Sequence, residues 1–380
     1  MQRRFLVTLF STSLIAACVY SLLGHPEPVP AAASETSRVA DSWNLRGRIG
    51  GNLLVTMTLH RTGKAVSGEY FYERRSTAYV PVSLDLVGTR KDPDKISLQE
   101  TDPNGKQTGI FSGKLISVAD KPQFIGTWSN AGATRSLPVQ LESIDPTISA
   151  DGARIVAQSA ESIGKRPRYT IASAWPHLVT DPSSGASGDA FNAAVRKTIA
   201  AIENDFRGFM REMAADPPPG SRDAERSYMQ ETTFDVASLT PRAVSVAFTI
   251  FADTGGAHPN TVTRTLNYDR TTNRTLHLQD VFRPGFRYLD FLSRQCRLAL
   301  HEDFLRSEGL HQIPFPEGVT PKEANFSNWT LAPQGLIVHF DRYQVAAYAE
   351  GDRDVILPWR LLKPHLRPNG PATPLVIAES

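Results

Sequence analysis

The sequence has little cysteine. Two occur in 380 residues, and Cys18 lies in the N-terminal apolar run. Cys296 is then alone, so no disulfide framework is expected and the fold must rest on its core. Cys296 shares a helical apolar stripe with Leu289, Leu292, Leu300 and Phe304. It reads as a buried small hydrophobe rather than a reactive thiol. Blocks of like charge are also missing. The 41 basic and 39 acidic residues give a net charge of +2, which argues against a nucleic-acid-binding tract and against an acidic tail. No two of the nine histidines stand four residues apart, so no HExxH-type metal pair exists and no metal or other cofactor is expected. There is no G-x-S-x-G nucleophile elbow. Ser184-Gly185-Ala186-Ser187-Gly188 reads as a flexible loop before a helix. No internal repeat is visible.

What is present begins with a targeting segment over residues 1–24. Arg3 and Arg4 precede an apolar run from Phe5 to Leu23, the charged and apolar regions of an export signal. Ile15-Ala16-Ala17-Cys18 reads as a lipobox with Cys18 as lipidation candidate. Ala31-Ala32-Ala33 offers ordinary cleavage before Ser34, and the run is long enough to remain as an anchor. Each fate puts the folded part outside the cytoplasm: periplasmic, an outer-membrane lipoprotein, or secreted. A Pro-, Ala- and Ser-rich tether covers 25–44.

The expected fold is α+β in two domains. Residues 45–142 read as an all-β antiparallel meander or small barrel. Alternating segments at Leu53–Leu59, Val66–Tyr72, Val80–Val87, Ile96–Glu100, Gly109–Lys114, Phe124–Trp128 and Leu137–Leu141 are separated by turn signals such as Asp102-Pro103-Asn104-Gly105. A linker is expected over 143–168. From 169 to 368 the pattern predicts a mainly antiparallel sheet with two amphipathic helices covering one face. One helix carries Phe191, Val195, Ile199, Ile202, Phe206, Phe209 and Met213 at steps of three and four; the other runs over Phe286–Leu305. Leu276–Phe282 reads as a short extended segment, and 369–380 as a tail.

Chemistry-bearing residues concentrate at Asp253-Thr254-Gly255-Gly256-Ala257-His258-Pro259-Asn260. Paired glycines admit unusual backbone angles and proline fixes φ, so the segment solves a turning problem as well as offering an imidazole and a carboxamide. Asp253, Asp269, Asp280, Asp341 and Glu350 stand at strand ends, where acids belong in turns; a glycosidase-type pair among them is the weaker reading. Thr233-Phe234-Asp235 has the start of a deacetylase TFDD motif, but Val236 replaces the second acid, so an alternating strand is expected. Tyr343 and Tyr348 complete the candidate ligand contacts, with Asp253, Gly255, Gly256, His258 and Asn260. No catalytic set is assigned.

From about Tyr169 to Leu366 the chain resembles the extracytoplasmic domain of unknown function found in lysozyme-sensing anti-sigma factors and beside some peptidoglycan deacetylase domains. The resemblance rests on Ala174-Trp175-Pro176-His177-Leu178, Phe191-Asn192 and Gly255-Gly256-Ala257-His258-Pro259-Asn260. It continues through Asn267-Tyr268-Asp269, Leu276 to Phe282, Phe340 to Gly351 and Val355-Ile356-Leu357-Pro358-Trp359. It implies a non-enzymatic cell-envelope binding protein, with lysozyme, another cell-wall enzyme or peptidoglycan as partner. Little precedes the apolar run, so sigma-factor signalling is not expected. The alternatives are a cell-wall polysaccharide hydrolase or deacetylase-associated enzyme, using His258 with an acid, and a structural envelope lipoprotein.

Overall fold

A computed structural model describes residues 41–90, 95–118, 121–165, 167–181, 188–215, 227–256 and 258–379. The signal, most of the tether, Cys18, Ser187 and Ala257 lie outside the described residues. None of the described helices is long and apolar enough to cross a membrane. The chain divides into two compact units.

The first unit is a closed antiparallel barrel of eight strands in sequence order: β1 (Asp41–Ile49), β2 (Leu53–Thr62), β3 (Ala65–Tyr72), β4 (Leu84–Arg90), β5 (Lys95–Thr101), β6 (Gln107–Val118), β7 (Lys121–Asn130) and β8 (Ser136–Ser143). β1 pairs with both β2 and β8, which closes the barrel and removes the exposed edges. The expected tether is therefore shorter than 25–44, because residues 41–44 already belong to β1. Period-two alternation sends Leu45, Val55, Met57, Leu98, Phe111 and Phe124 into one buried core. Gly113 and Gly126 face each other across β6 and β7. A Cβ on Gly113 would meet Ile125 O at 2.5 Å, so only glycine permits this approach.

One charge-bearing residue sits inside the barrel. Glu100 is 2% exposed. It accepts hydrogen bonds from Tyr70 Oη at 2.6 Å, Trp128 Nε1 at 2.6 Å and the Thr108 hydroxyl. Buried polar groups persist when their partners are complete. Glu100→Gln keeps the volume but replaces one acceptor oxygen by an NH2 facing donors. It should cost the barrel about 1–2 kcal/mol, read by denaturant unfolding. An unchanged midpoint would contradict this account of the buried carboxylate.

The second unit contains Glu73–Val82 and the chain from Asp145 onward. Its larger sheet has six strands in the order β14-β13-β12-β11-β10-β9: β9 (Arg154–Lys165), β10 (Arg168–Val179), β11 (Tyr228–Leu239), β12 (Ala243–Asp253), β13 (Asn260–Asp269) and β14 (Arg274–Thr275). Residues 154–165, expected within a linker, form β9, which pairs with β10 along its whole length. Among the described residues only β10 and β11 pair in parallel. A parallel pair needs a crossover, and α1 (Asp189–Ala215) provides it. Pro176 lies beyond the β10 residues that pair with β11, where its missing donor breaks no ladder on that side.

α1 buries Phe191, Val195, Ile199, Ile202 and Phe206. The first four pack with Val236, Val246 and Phe248 on one face of this sheet. The stripe then continues through Met210, while Phe209 is 41% exposed. A step of four from Phe206 stays on the buried face where a step of three leaves it.

The C-terminal pattern departs from expectation first in its sheets: the strands form two, and each long helix serves its own. β15 (Trp329–Ala332), β16 (Gly335–Phe340) and β17 (Arg353–Pro358) make a three-stranded antiparallel sheet. Its core includes α2 (Tyr288–Glu308) through Leu292, Cys296, Leu300 and Phe304, together with Trp359 of α3 (Trp359–Leu362). Cys296 is fully buried and burial pushes its thiol pKa well up. The expected tail folds as α4 (Thr373–Glu379), whose Leu375 joins this core. Leu276–Phe282 is a 3-10 turn at Leu278–Asp280 rather than an extended run. Val80 packs in the same core, and the strand expected from Val80 begins at Leu84.

The two sheets are joined by polar contacts. Ser238 Oγ donates to Leu331 O at 2.6 Å, Leu331 N donates to Ser245 Oγ at 2.8 Å, and Asn267 Nδ2 donates to Trp329 O at 2.7 Å. The sheet face opposite α1 thus carries polar side chains because β15 offers it backbone groups to satisfy.

A candidate binding corner beside a buried acid–imidazole cluster

β12 and β13 meet at the corner singled out above. Asp253 Oδ1 accepts from Gly255 N at 2.9 Å, and Gly255 has φ +81°. The aspartate therefore folds the turn and glycine supplies the left-handed angle. His258 and Asn260 are exposed.

Tyr343 and Tyr348 come from the loop between β16 and β17, about ninety residues away in sequence, yet they stand beside His258. The His258 imidazole stacks on the Tyr348 ring with centroids 3.9 Å apart. Tyr348 Oη donates to Pro259 O at 2.8 Å, and Tyr343 lies 5.7 Å from Tyr348. Arg342, not foreseen from the sequence, lies over the Tyr348 ring at 4.7 Å and donates to its Oη at 3.0 Å. Tyr343 is 56% exposed with φ +67°. For a bulky side chain this angle costs on the order of 1 kcal/mol. Asp253, Gly255, His258, Tyr343 and Tyr348 thus form one surface; Gly256 and Asn260 lie on the same turn.

Behind this surface lies a cluster that the sequence reading missed. His339 Nδ1 is 2.8 Å from Asp354 Oδ1, and Nε2 is 3.0 Å from the Thr330 hydroxyl. His339 and Asp354 are register partners on β16 and β17. Asp341 accepts from Thr263 N at 2.8 Å, and Asp352 accepts from Arg342 N at 3.1 Å. Asp235 points to this side from β11, and its Oδ1 is buried without a hydrogen-bond partner. Burial pushes the Asp235 carboxyl up to about 8, with His339 opposing. Burial also raises Asp341 and Asp352, against the hydrogen bond from Thr263 and the charge of Arg342 respectively. For His339 burial opposes charging, but Asp354, Asp341 and Asp235 together outweigh it and raise its pKa.

Thr330, His339 and Asp354 stand in hydroxyl–imidazole–carboxylate order, the logic of an activated nucleophile. Thr330 is only 1% exposed, so no substrate carbonyl reaches it. The arrangement instead favours the protonated form of the His339 imidazole through the carboxylates around it. Among the described residues no group of three or more His, Cys, Asp or Glu side chains is placed to hold a metal ion. A signal for the cluster existed at His339, which interrupts the otherwise apolar run of β16.

The fold and the surface define a barrel-plus-α+β chain with an aromatic candidate surface at one corner of its larger sheet. Residues 279–360 match the family described as a protein of unknown function, DUF3298, so the second unit carries that domain, as the resemblance implied. The matched residues include Arg342, Tyr343 and Tyr348 but not the corner at 253–260. The chain is 31% identical over 139 residues to a peptidoglycan-N-acetylmuramic acid deacetylase of Bacillus subtilis, covering 35% of this chain and 28% of that protein. It is 28% identical over 125 residues to an esterase of Mycobacterium tuberculosis, covering 32% of this chain and 52% of that protein. The chain therefore spans about a quarter and about half of these relatives. A DUF3298 family structure from Bacteroides fragilis aligns at TM-score 0.43 and 17% identity over 62% of this chain and 98% of that one. One from Pseudomonas aeruginosa aligns at 0.40 and 18% over 58% and 96%.

Proposed function

We propose that the chain is a non-enzymatic cell-envelope binding protein that contacts its partner through the His258–Tyr348–Tyr343 surface. One observation carries this reading: an exposed tyrosine, Tyr343, is held in a left-handed backbone beside a stacked His258–Tyr348 pair. Strain at an exposed aromatic points to function rather than packing. The names of the two relatives, one of them a peptidoglycan deacetylase, support a cell-wall-related role outside the cytoplasm. Lysozyme, another cell-wall enzyme and peptidoglycan itself are the partners to try. The export signal, with Cys18 lipidated or cleavage after Ala33, would place it there.

Retention of a c-type lysozyme by the purified chain at moderate salt tests the protein-partner version. Tyr343→Gly should remove the ring and relieve the backbone, lowering retention at least several-fold while raising stability by about 1 kcal/mol. Retention equal to wild type would remove this surface from the proposal. The activities for which the two relatives are named favour an enzymatic second reading. Turnover of labelled peptidoglycan that is lost in His258→Ala, with folding intact, would establish it.

A further inference from the structure

A second cleft, of about 490 Å³, shares no lining residue with the corner. One wall comes from β14 and the chain after it. Thr275, His277 and Gln279 are exposed there and alternate with buried Leu276 and Leu278. The opposite wall carries Tyr288 at the start of α2, Glu323 and Ser327. Tyr288 Oη donates to Glu323 Oε1 at 3.1 Å, and its ring stacks on Phe282 with centroids 5.5 Å apart and planes 10° from parallel. The floor is fixed. Asn267 and Thr265 are engaged with the backbone of Trp329, and Trp329 and Phe326 are almost fully buried beneath the cleft.

We propose that this cleft binds a neutral saccharide. Its volume lies within the range of ligand sites. The lining offers hydroxyls, carboxamide, imidazole and one carboxylate, groups that both donate and accept as sugar hydroxyls require. Glu323, already oriented by Tyr288, gives a charge-assisted acceptor for hydroxyl donors. The half-buried Tyr288 and Leu289 beside it offer apolar surface to the C–H face of a pyranose. Among the described residues no lysine or arginine lines the cleft, so a phosphate-rich polymer or a nucleotide finds no counter-charge there. This site is independent of the corner and stands whether or not the corner binds a protein.

The test is titration of the purified chain with the N-acetylglucosamine trimer, followed by calorimetry or by NMR shifts. Saturable binding is expected, weakened about tenfold by Glu323→Gln and by His277→Ala, and unchanged in Tyr343→Ala. That last variant reports on the corner, so failure of one reading is distinguishable from failure of the other. Absence of saturable binding up to roughly ten millimolar, far weaker than the usual range for a ligand site, would overturn the proposal. So would wild-type affinity in both cleft variants, or preference for polyphosphate or for a short peptide over the trimer.

Discussion

Replacing Asp303 by alanine should destabilise the second unit by about 3–5 kcal/mol, because it strands a buried guanidinium. Asp303 is 5% exposed and Arg353 8%. Arg353 Nε donates to Asp303 Oδ2 at 2.9 Å, and Arg306 holds the other carboxylate oxygen. Arg353 also lies over the Phe304 ring at 5.2 Å and donates to the carbonyls of Glu350 and Asp352. It therefore ties α2 to the end of the loop that carries Tyr348. Without Asp303 the charge remains and its compensation does not. The loop should loosen with it, so Asp303→Ala should also weaken partner binding. Asp303→Asn keeps an acceptor and should cost less than the alanine variant. Urea unfolding of the three proteins checks the order; a loss under about 1 kcal/mol for Asp303→Ala would refute the pairing as a stabilising element.

Stability of the same unit should fall as pH rises from about 6.5 to 8. Asp235, Asp341 and Asp352 have folded pKa values above their unfolded ones, and Asp235 reaches about 8. In that window the native state binds more protons than the unfolded state, so raising pH favours unfolding. His339 acts in the same direction. Its raised pKa gives stability that is full below the ordinary histidine range and lost as pH rises through the folded value. Carboxylates with lowered values, Asp151, Asp269, Asp280 and Glu302, act only at much lower pH. His365, lowered mainly by burial, opposes the trend only below its ordinary value. One differential proton gives a slope of about 1.4 kcal/mol per pH unit. Asp235→Asn removes one of these contributors and should flatten the curve, making the variant the more stable protein at pH 8. Calorimetric scans at pH 6.5, 7.2 and 8 read this directly; a wild-type Tm that climbs across them would contradict it.

Both predictions concern groups that the local sequence pattern conceals. Asp303 looks like one acid among several on a helix, and Asp235 like the polar step of an alternating strand. Their environment comes from strands and helices far along the chain. The corner fared differently. Asp253, Gly255 and His258 were legible because glycine, proline and aspartate impose turning by their own covalent geometry. Tyr343 and Tyr348 stood out as loop aromatics, but nothing in their spacing said they would stack against His258. Arg342 gave no signal, since its role is to sit over a ring brought there by the fold.

The sequence by itself determined the period-two strands of the barrel, the two amphipathic helices, the burial of Cys296 and the turn at Gly255, because each follows from side chains within a few residues of one another. Tertiary structure decided the rest. It closed eight strands into a barrel through the pairing of β1 with β8, turned an expected linker into β9, and placed β10 beside β11 in parallel through α1. It also drew His339, Asp354, Asp341 and Asp235 together behind the corner. These arrangements depend on contacts between residues many tens of positions apart, whose energy is set by burial and pairing and leaves no local periodicity to read.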